Sequence, residues 1–314
     1  MNDYDVVIVG AGVAGLTAAR RVAEGGARVL VLDRQGVGGQ VSTVEDLTNA
    51  PGRTTPIAGY DLGVELLEEA ESAGAEILLA EISGIHQAGD VFVLTGADEQ
   101  IRATAVIVAA GSQRRALDVP GEREFEGRGV SRCASCDGPF FRGKRVVVVG
   151  GGDSAFDEAR VLAEFASEVL VVHTGAAPTA RAEISEPTIA RTNVRLQAEA
   201  TVSAILGEDG VSTVAIRDLP TGIDTEVAAH GVFVYIGLVP NTDWLGQIVD
   251  RDQTGRIAVD ETLAASCTGI FASGDIRSGA AALLTESASD GELAARSALR
   301  YLVAARAAPA PAAP

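Results

Sequence analysis

Two cysteines separated by two residues, Cys133-Ala134-Ser135-Cys136, stand directly before Asp137 and Gly138. That spacing lets both sulfurs meet in a small ring, and such pairs commonly have one lowered thiol pKa. The segment therefore reads as a redox-active dithiol. Half a zinc site is the main competitor, but zinc needs two more ligands. The chain offers only Cys267 and three dispersed histidines, His86, His173 and His230. Redox use is preferred to zinc and to an inert pair. Asp137 is a proton donor or acceptor for thiolate chemistry, with a plain turn residue before Gly138 as the alternative. Cys267 falls on an expected loop, where packing explains it better than chemistry.

Two glycine turns supply the second kind of chemistry. Tyr4–Gly10 is an apolar run entering Gly10-Ala11-Gly12-Val13-Ala14-Gly15, followed by a helical stretch, Leu16–Glu24, and a strand, Ala27–Leu32, that ends on Asp33. Gly10 permits the tight turn, Gly12 lets backbone approach a pyrophosphate, and Gly15 allows close helix–strand packing. The helix start favours a diphosphate through free N–H groups and its dipole. Asp33 is placed to accept hydrogen bonds from an adenosine ribose. Further on, Arg145–Val149 enters Gly150-Gly151-Gly152-Asp153-Ser154-Ala155, followed by a helical Phe156–Phe165 and a strand, Glu168–Val172. Both are openings of nucleotide-binding βαβ units, and they predict two nucleotide sites, one per domain.

A third segment chooses between dinucleotides. Gly269–Ser273 is a strand stopped by Gly274-Asp275, a pattern that flavin sites use to hold the ribityl chain and diphosphate. An ordinary strand end with a solvated aspartate is the alternative. Ala105–Ala110, stopped by Gly111, is a matching strand in the first part of the chain. Gly89–Gly96 and Val211–Asp218 alternate as antiparallel strands do. His173 ends a strand, touching a cofactor or only capping that strand, and Trp244 reads as packing.

These elements need a chain long enough for two cores, and 314 residues suffice. Glycine at 36 residues and aromatics at 4% fit an α/β protein rich in tight turns. A net charge of −18, with Lys144 the sole lysine, argues against nucleic-acid binding. No apolar stretch reaches membrane-spanning length, and the opening lacks a signal-peptide pattern, so a cytoplasmic location is expected. The Ala/Pro end, Ala307–Pro314, is expected to be disordered.

Taken together, Gly10–Gly15, Gly38-Gly39-Gln40, Val106–Gly111, Cys133–Gly138, Val146–Ala155, Ile236–Asn241 and Gly269–Arg277 resemble the low-molecular-weight, bacterial-type thioredoxin reductase family. The resemblance implies an α/β fold of two nucleotide-binding three-layer domains, with the pyridine-nucleotide domain inserted into the FAD domain. The expected boundaries are 1–115 and 242–305 for the FAD domain, 116–241 for the insert and 306–314 for the tail. By position, FAD would sit on Gly10, Gly12, Ala14, Gly15, Asp33, Arg34, Gly39 and Gln40. Asn49, Ala110, Gly111, Gly274, Asp275, Leu283 and Leu284 would complete its site. Cys136 would face the flavin, Cys133 would attack an external disulfide, and Asp137 would act as acid–base. A pyridine nucleotide, NADPH or NADH, would lie on Gly150, Gly152, Asp153, Ser154, Ala155, His173 and Arg181. The family alternates between two domain orientations and is typically a homodimer. Its partner is a thioredoxin-like protein, with a small disulfide or dithiol as the alternative, and no metal is expected.

The sequence departs from the family pattern at two places. NADPH-using members follow the second βαβ strand with His-Arg-Arg and a further Arg that bind the 2′-phosphate. Here the stretch is His173-Thr174-Gly175-Ala176-Ala177-Pro178-Thr179-Ala180-Arg181, so the paired arginines are missing. Near the flavin, the usual Arg-Gln becomes Ala282-Leu283. Three functions compete on these grounds: a nucleotide-driven disulfide reductase, a dithiol oxidase using oxygen or a ferredoxin-linked variant, and a non-enzymatic sensor. The missing arginines support the second, the Asp137-Gly138 ending favours the first over it, and the intact cysteines with Asp137 argue against the third.

Overall fold

Val6, Val7 and Ile8 have no exposed surface because their strand, Asp3–Val9, lies inside a sheet covered on both faces. With side chains alternating across the pleat, Val6 and Ile8 join Leu16, Ala294 and Ala298 on the helical side. Val7 and Val9 join Leu245, Val249 and Ile257 on the other. The structure, a computed structural model, describes residues 3–44, 47, 50, 53, 55–96 and 100–307. It divides the chain into two units, Met1–Gln113 with Val239–Pro314, and Arg114–Leu238.

In the first unit Asp3–Val9 is flanked in parallel by Val29–Asp33 and Gln100–Val108, and Glu76–Leu79 pairs beyond Val29–Asp33. Gln100–Val108 changes partners along its length. Its beginning pairs antiparallel with Val91–Thr95 of a hairpin that includes Gly84–Ala88, and its end pairs in parallel with Ile270–Ala272. Val9 stands opposite both Leu32 and Val108, and Val108 opposite Ala272. Four loops, beginning at Gly10, Arg34, Ala109 and Ser273, therefore leave the sheet at one edge. That carboxyl edge is where open α/β sheets bind ligands. Helices Val13–Glu24 and Leu284–Ala307 pack together over one face, linked at their surface by Arg20 and Glu292, 2.7 Å apart.

The second unit repeats the plan. Arg145–Val149 is central, with Glu168–Val172 and Gly231–Val234 beside it and Val194–Gln197 and Val130–Ser131 outermost, all parallel. Phe156 and Leu162 of the helix Asp153–Leu162 cover Val146 and Val148 on one face. Val147 and Val149 pack on the other against an antiparallel sheet of Ala200–Gly207, Val211–Asp218 and Asp224–Ala228. Helix, parallel sheet and antiparallel sheet make three layers.

Several boundaries differ from the sequence reading. The glycine-turn helices begin at Val13 and Asp153 instead of Leu16 and Phe156, because Gly12 and Gly152 are themselves the cap positions. The strand read as Ala105–Ala110 starts at Gln100 and stops at Val108, where the chain turns toward Gly111 at φ +57°. The last helix runs through Arg306 and Ala307, both inside the expected tail 306–314, and Arg306 pairs there with Asp5 at 2.6 Å. The expected disorder of 308–314 concerns residues outside those described. Among the described residues, no helix is long and apolar enough to cross a membrane.

Candidate active site

Cys133 and Cys136 form a disulfide with Cα atoms 5.4 Å apart. The ring closes because Ala134–Asp137 is a single helical turn with Cys133 as its cap. The Cys136 N–H donates to the Cys133 sulfur at 3.2 Å, and N–H groups at a turn of this kind favour a thiolate over a thiol. Asp137 is not a free turn residue: the Ser131 hydroxyl donates to its carboxylate at 2.6 Å. The same hydroxyl oxygen accepts the Cys133 N–H at 3.1 Å, so one serine holds both the acid and the start of the redox turn. Arg132 is anchored in turn by buried Glu122, 3.1 Å away, whose carboxylate also accepts the Leu117 and Asp118 N–H groups. Ser131, Glu122 and Arg132 were not singled out from sequence; polar residues one to eleven positions before a cysteine carry no pattern of their own.

At the carboxyl edge of the first unit the sequence-derived residues come together. The helix after Gly12 has no side-chain cap and no acid in its first turn, so its leading N–H groups are open to an anion. Gly10 is left-handed at φ +114°, and Gly39 stands beside Gly12. Asp33 at the end of its strand accepts the Ala11, Gln35 and Gly36 N–H groups, which ties the glycine turn to the second strand. Arg34 faces Glu81 at 3.8 Å on the surface. Gln40 donates to the Ser112 carbonyl, while Ala110 and Gly111 accept from Asn241. Gly274 donates to buried Asp290, which also holds Arg277. Burial pushes the Asp275 carboxyl above its ordinary range. Leu284 starts the last helix and Leu283 precedes it, 52% exposed. These features fit a dinucleotide of the FAD kind: bare N–H groups for a diphosphate and a desolvated acid for ribityl hydroxyls. Asn49 lies outside the described residues.

The second glycine turn is furnished differently. Asp153 sits in the first turn of its helix and accepts both the backbone N–H and the Nε of Arg181, at 2.8 and 2.7 Å. These hydrogen bonds hold the Asp153 carboxyl below its ordinary range. The Thr179 and Ala180 N–H groups both donate to the Gly151 carbonyl, folding the loop after His173 back onto the turn. Ser154 is exposed and Ala155 buried. His173 packs against Gly151 with only 4% exposure; its Nε2 has no partner among the described residues, and burial lowers its pKa. Thr174 and Gly175 are exposed where paired arginines would bind a 2′-phosphate.

A disulfide on a helical turn beside one glycine turn, and a second glycine turn at the edge of another parallel sheet, define a dinucleotide-dependent disulfide oxidoreductase. Residues 4–294 match the model of the pyridine nucleotide-disulphide oxidoreductase family, and the chain belongs to it. It is 41% identical to thioredoxin reductase of Treponema pallidum over 96% of its own length and 98% of that protein. It is 37% identical to thioredoxin reductase of Bacillus subtilis, with 95% of each covered. The crystal structure of Lactococcus lactis thioredoxin reductase superposes with a TM-score of 0.84 at 34% identity, covering 96% of this chain and 99% of that one. The protein is thus an FAD-dependent thiol-disulfide oxidoreductase of the thioredoxin reductase type.

Proposed function

We propose that the enzyme carries electrons from NADPH or NADH, by way of FAD and the Cys133–Cys136 disulfide, to a thioredoxin-like protein or a small disulfide. The observation behind this reading is the capped turn Cys133–Asp137, whose acid is already held by Ser131. Bound FAD supplies the two-electron carrier between a nicotinamide and a disulfide. Gly10, Gly12, Ala14 and Gly15 receive its diphosphate, with Asp33, Arg34, Gly39 and Gln40 around the adenosine side. Ala110, Gly111, Gly274, Asp275, Leu283 and Leu284 line the ribityl and ring side. Gly150, Gly152, Asp153, Ser154, Ala155, His173 and Arg181 take the pyridine nucleotide on the unit Arg114–Leu238. The working assembly is a homodimer.

Cys133 is the exchange thiol. Its thiolate attacks one sulfur of the partner disulfide, a mixed disulfide forms, and the expelled sulfur leaves as a thiolate that takes up a proton. Cys136 then attacks Cys133, restoring the internal bond and releasing the second partner thiolate. Asp137 exchanges the protons, kept in place by the Ser131 hydroxyl.

A second reading has a specific observation behind it. With Thr174 and Gly175 in place of arginines, and Arg181 engaged by Asp153, electrons would come from a substrate dithiol or a ferredoxin. Anaerobic reduction of the flavin by NADPH, NADH and a dithiol, side by side, separates the two. Bleaching by a nucleotide within seconds, recovered by a disulfide and abolished at the recovery step by Cys133→Ser, is the expected result. Bleaching by the dithiol alone would replace the first reading with the second.

A further inference from the structure

The residue after Cys133 is held in a way that disulfide exchange does not by itself require. Ala134 is fully buried, and its N–H donates to two side chains at once: the Glu158 carboxylate at 3.1 Å and the Tyr235 hydroxyl oxygen at 3.0 Å. Glu158 comes from the middle of the helix Asp153–Leu162, and Tyr235 from just past the strand Gly231–Val234. Burial pushes both groups above their ordinary pKa ranges, and the Glu158 charge adds to the rise at Tyr235. A carboxylate and a phenol thus converge on one partly buried peptide N–H, one residue from the exchange sulfur. Nothing in packing demands an acid there. The buried face of that helix is built from Phe156, Ala159 and Leu162, and a neutral amide would accept the same N–H.

We propose that Glu158 is a positioning residue for the redox pair, its carboxylate gripping the Ala134 N–H and its charge restraining ionisation of the Cys133 thiol. The first turn of the Cys133-capped helix pulls the thiol toward thiolate, and a like charge held on the N–H of the next residue opposes that pull. Reduction of the pair takes up two electrons and two protons. A carboxylate that disfavours the thiolate keeps the second proton on the dithiol until a partner arrives. Facing Glu158 are Tyr235, Arg114 and Asp157, of which Arg114 favours its charge and Asp157 opposes it. On the redox segment itself Arg132 and Asp137 flank the cysteines. The inference rests on the pair being an exchange dithiol; it does not depend on which donor reduces it.

The test is the pH dependence of thiol alkylation in the flavin-loaded full chain after reduction by excess dithiothreitol. Iodoacetamide is the probe: the thiolate sulfur forms a C–S bond, iodide leaves, and peptide mass spectrometry reads Cys133 separately from Cys136 and Cys267. Glu158→Gln keeps an acceptor for the Ala134 N–H and removes only the charge. It should alkylate Cys133 roughly 3- to 10-fold faster below the thiol pKa, the size of effect that about half to one pKa unit gives. Cys267, whose thiol burial pushes up, lies in the other unit and should alkylate at the parent rate. Glu158→Asp should restore the parent profile in part. Superposable profiles for the parent and Glu158→Gln would overturn the proposal. So would equal shifts in Glu158→Gln and Glu158→Asp, which would mark a packing effect, or acceleration at Cys267, which would mark general loosening. Because the dithiol replaces both nucleotide and partner, a wrong donor or partner leaves this measurement intact. A Cys133 that never alkylates in any variant would remove the exchange reading itself.

Discussion

The three glycines of the first fingerprint do different work, and a methyl group tells them apart. A Cβ on Gly10 would lie 2.2 Å from the Ala109 carbonyl oxygen in a left-handed backbone, and one on Gly15 would lie 1.8 Å from the Gly10 oxygen. On Gly12 its nearest neighbour would be the Gly39 Cα at 3.9 Å. Gly10→Ala and Gly15→Ala should each lose about 3 kcal/mol or more of stability, seen as a lowered urea midpoint. Gly12→Ala should fold with a parent-like circular dichroism spectrum yet retain roughly a tenth of the flavin or less, measured by visible absorbance, because its methyl stands where a diphosphate would approach. At the second turn, Thr174→Arg with Gly175→Arg should lower the KM for NADPH about tenfold, while an unchanged KM would show that the missing arginines are not the limiting feature. The glycines could be read from sequence because strand, turn and helix surround them within twenty residues. Ser131 and Glu158 could not. A glutamate beside Asp157 on a helix looks solvated until folding brings Ala134, 24 residues away, and Tyr235, 101 residues from Ala134, to one point.

Among the elements, the segment leading into the redox turn depends on one buried carboxylate. Glu122 is 2% exposed and neutralised by Arg132, so Arg132→Ala would strand it with only two backbone donors. A loss of about 3 kcal/mol in urea unfolding is expected, with much of it recovered in Glu122→Gln/Arg132→Met. A second staple sits in the segment ahead of the strand Ile270–Ala272. Burial alone would raise the Asp252 carboxyl, but donors from Thr254, Ser278 and Arg256 prevail and hold it at about 2. A depressed folded pKa adds stability above the ordinary carboxylate range and loses it as the pH falls through about 2. The melting temperatures of the parent and Asp252→Asn should differ at pH 6 and converge between about pH 4 and pH 2; a constant difference would contradict the assignment. Parallel strands were readable as valine runs, whereas these staples were not, since loop acids are common and only their donors distinguish them.

For the molecule as a whole, the repeated βαβ opening was visible in the sequence, but the discontinuity of the first unit was not visible in any local pattern. It follows from Ile270–Ala272 pairing with Gln100–Val108 and from the last helix packing against the first, contacts between residues more than 160 positions apart. Only the family resemblance anticipated them. This arrangement fixes an order of events on the ribosome. When Leu238 emerges, every strand of the unit Arg114–Leu238 has been made, while the other unit still lacks a strand and a covering helix. The inserted unit is therefore free to fold first, and the carboxyl edge of the other unit is completed only by residues translated after it. Residues 114–238 expressed alone should show one cooperative urea transition, and a non-cooperative one would mean that folding of the insert waits for the rest. With FAD on the other unit, as proposed, the nascent enzyme would then carry a finished redox disulfide turn before it has anywhere to keep its flavin.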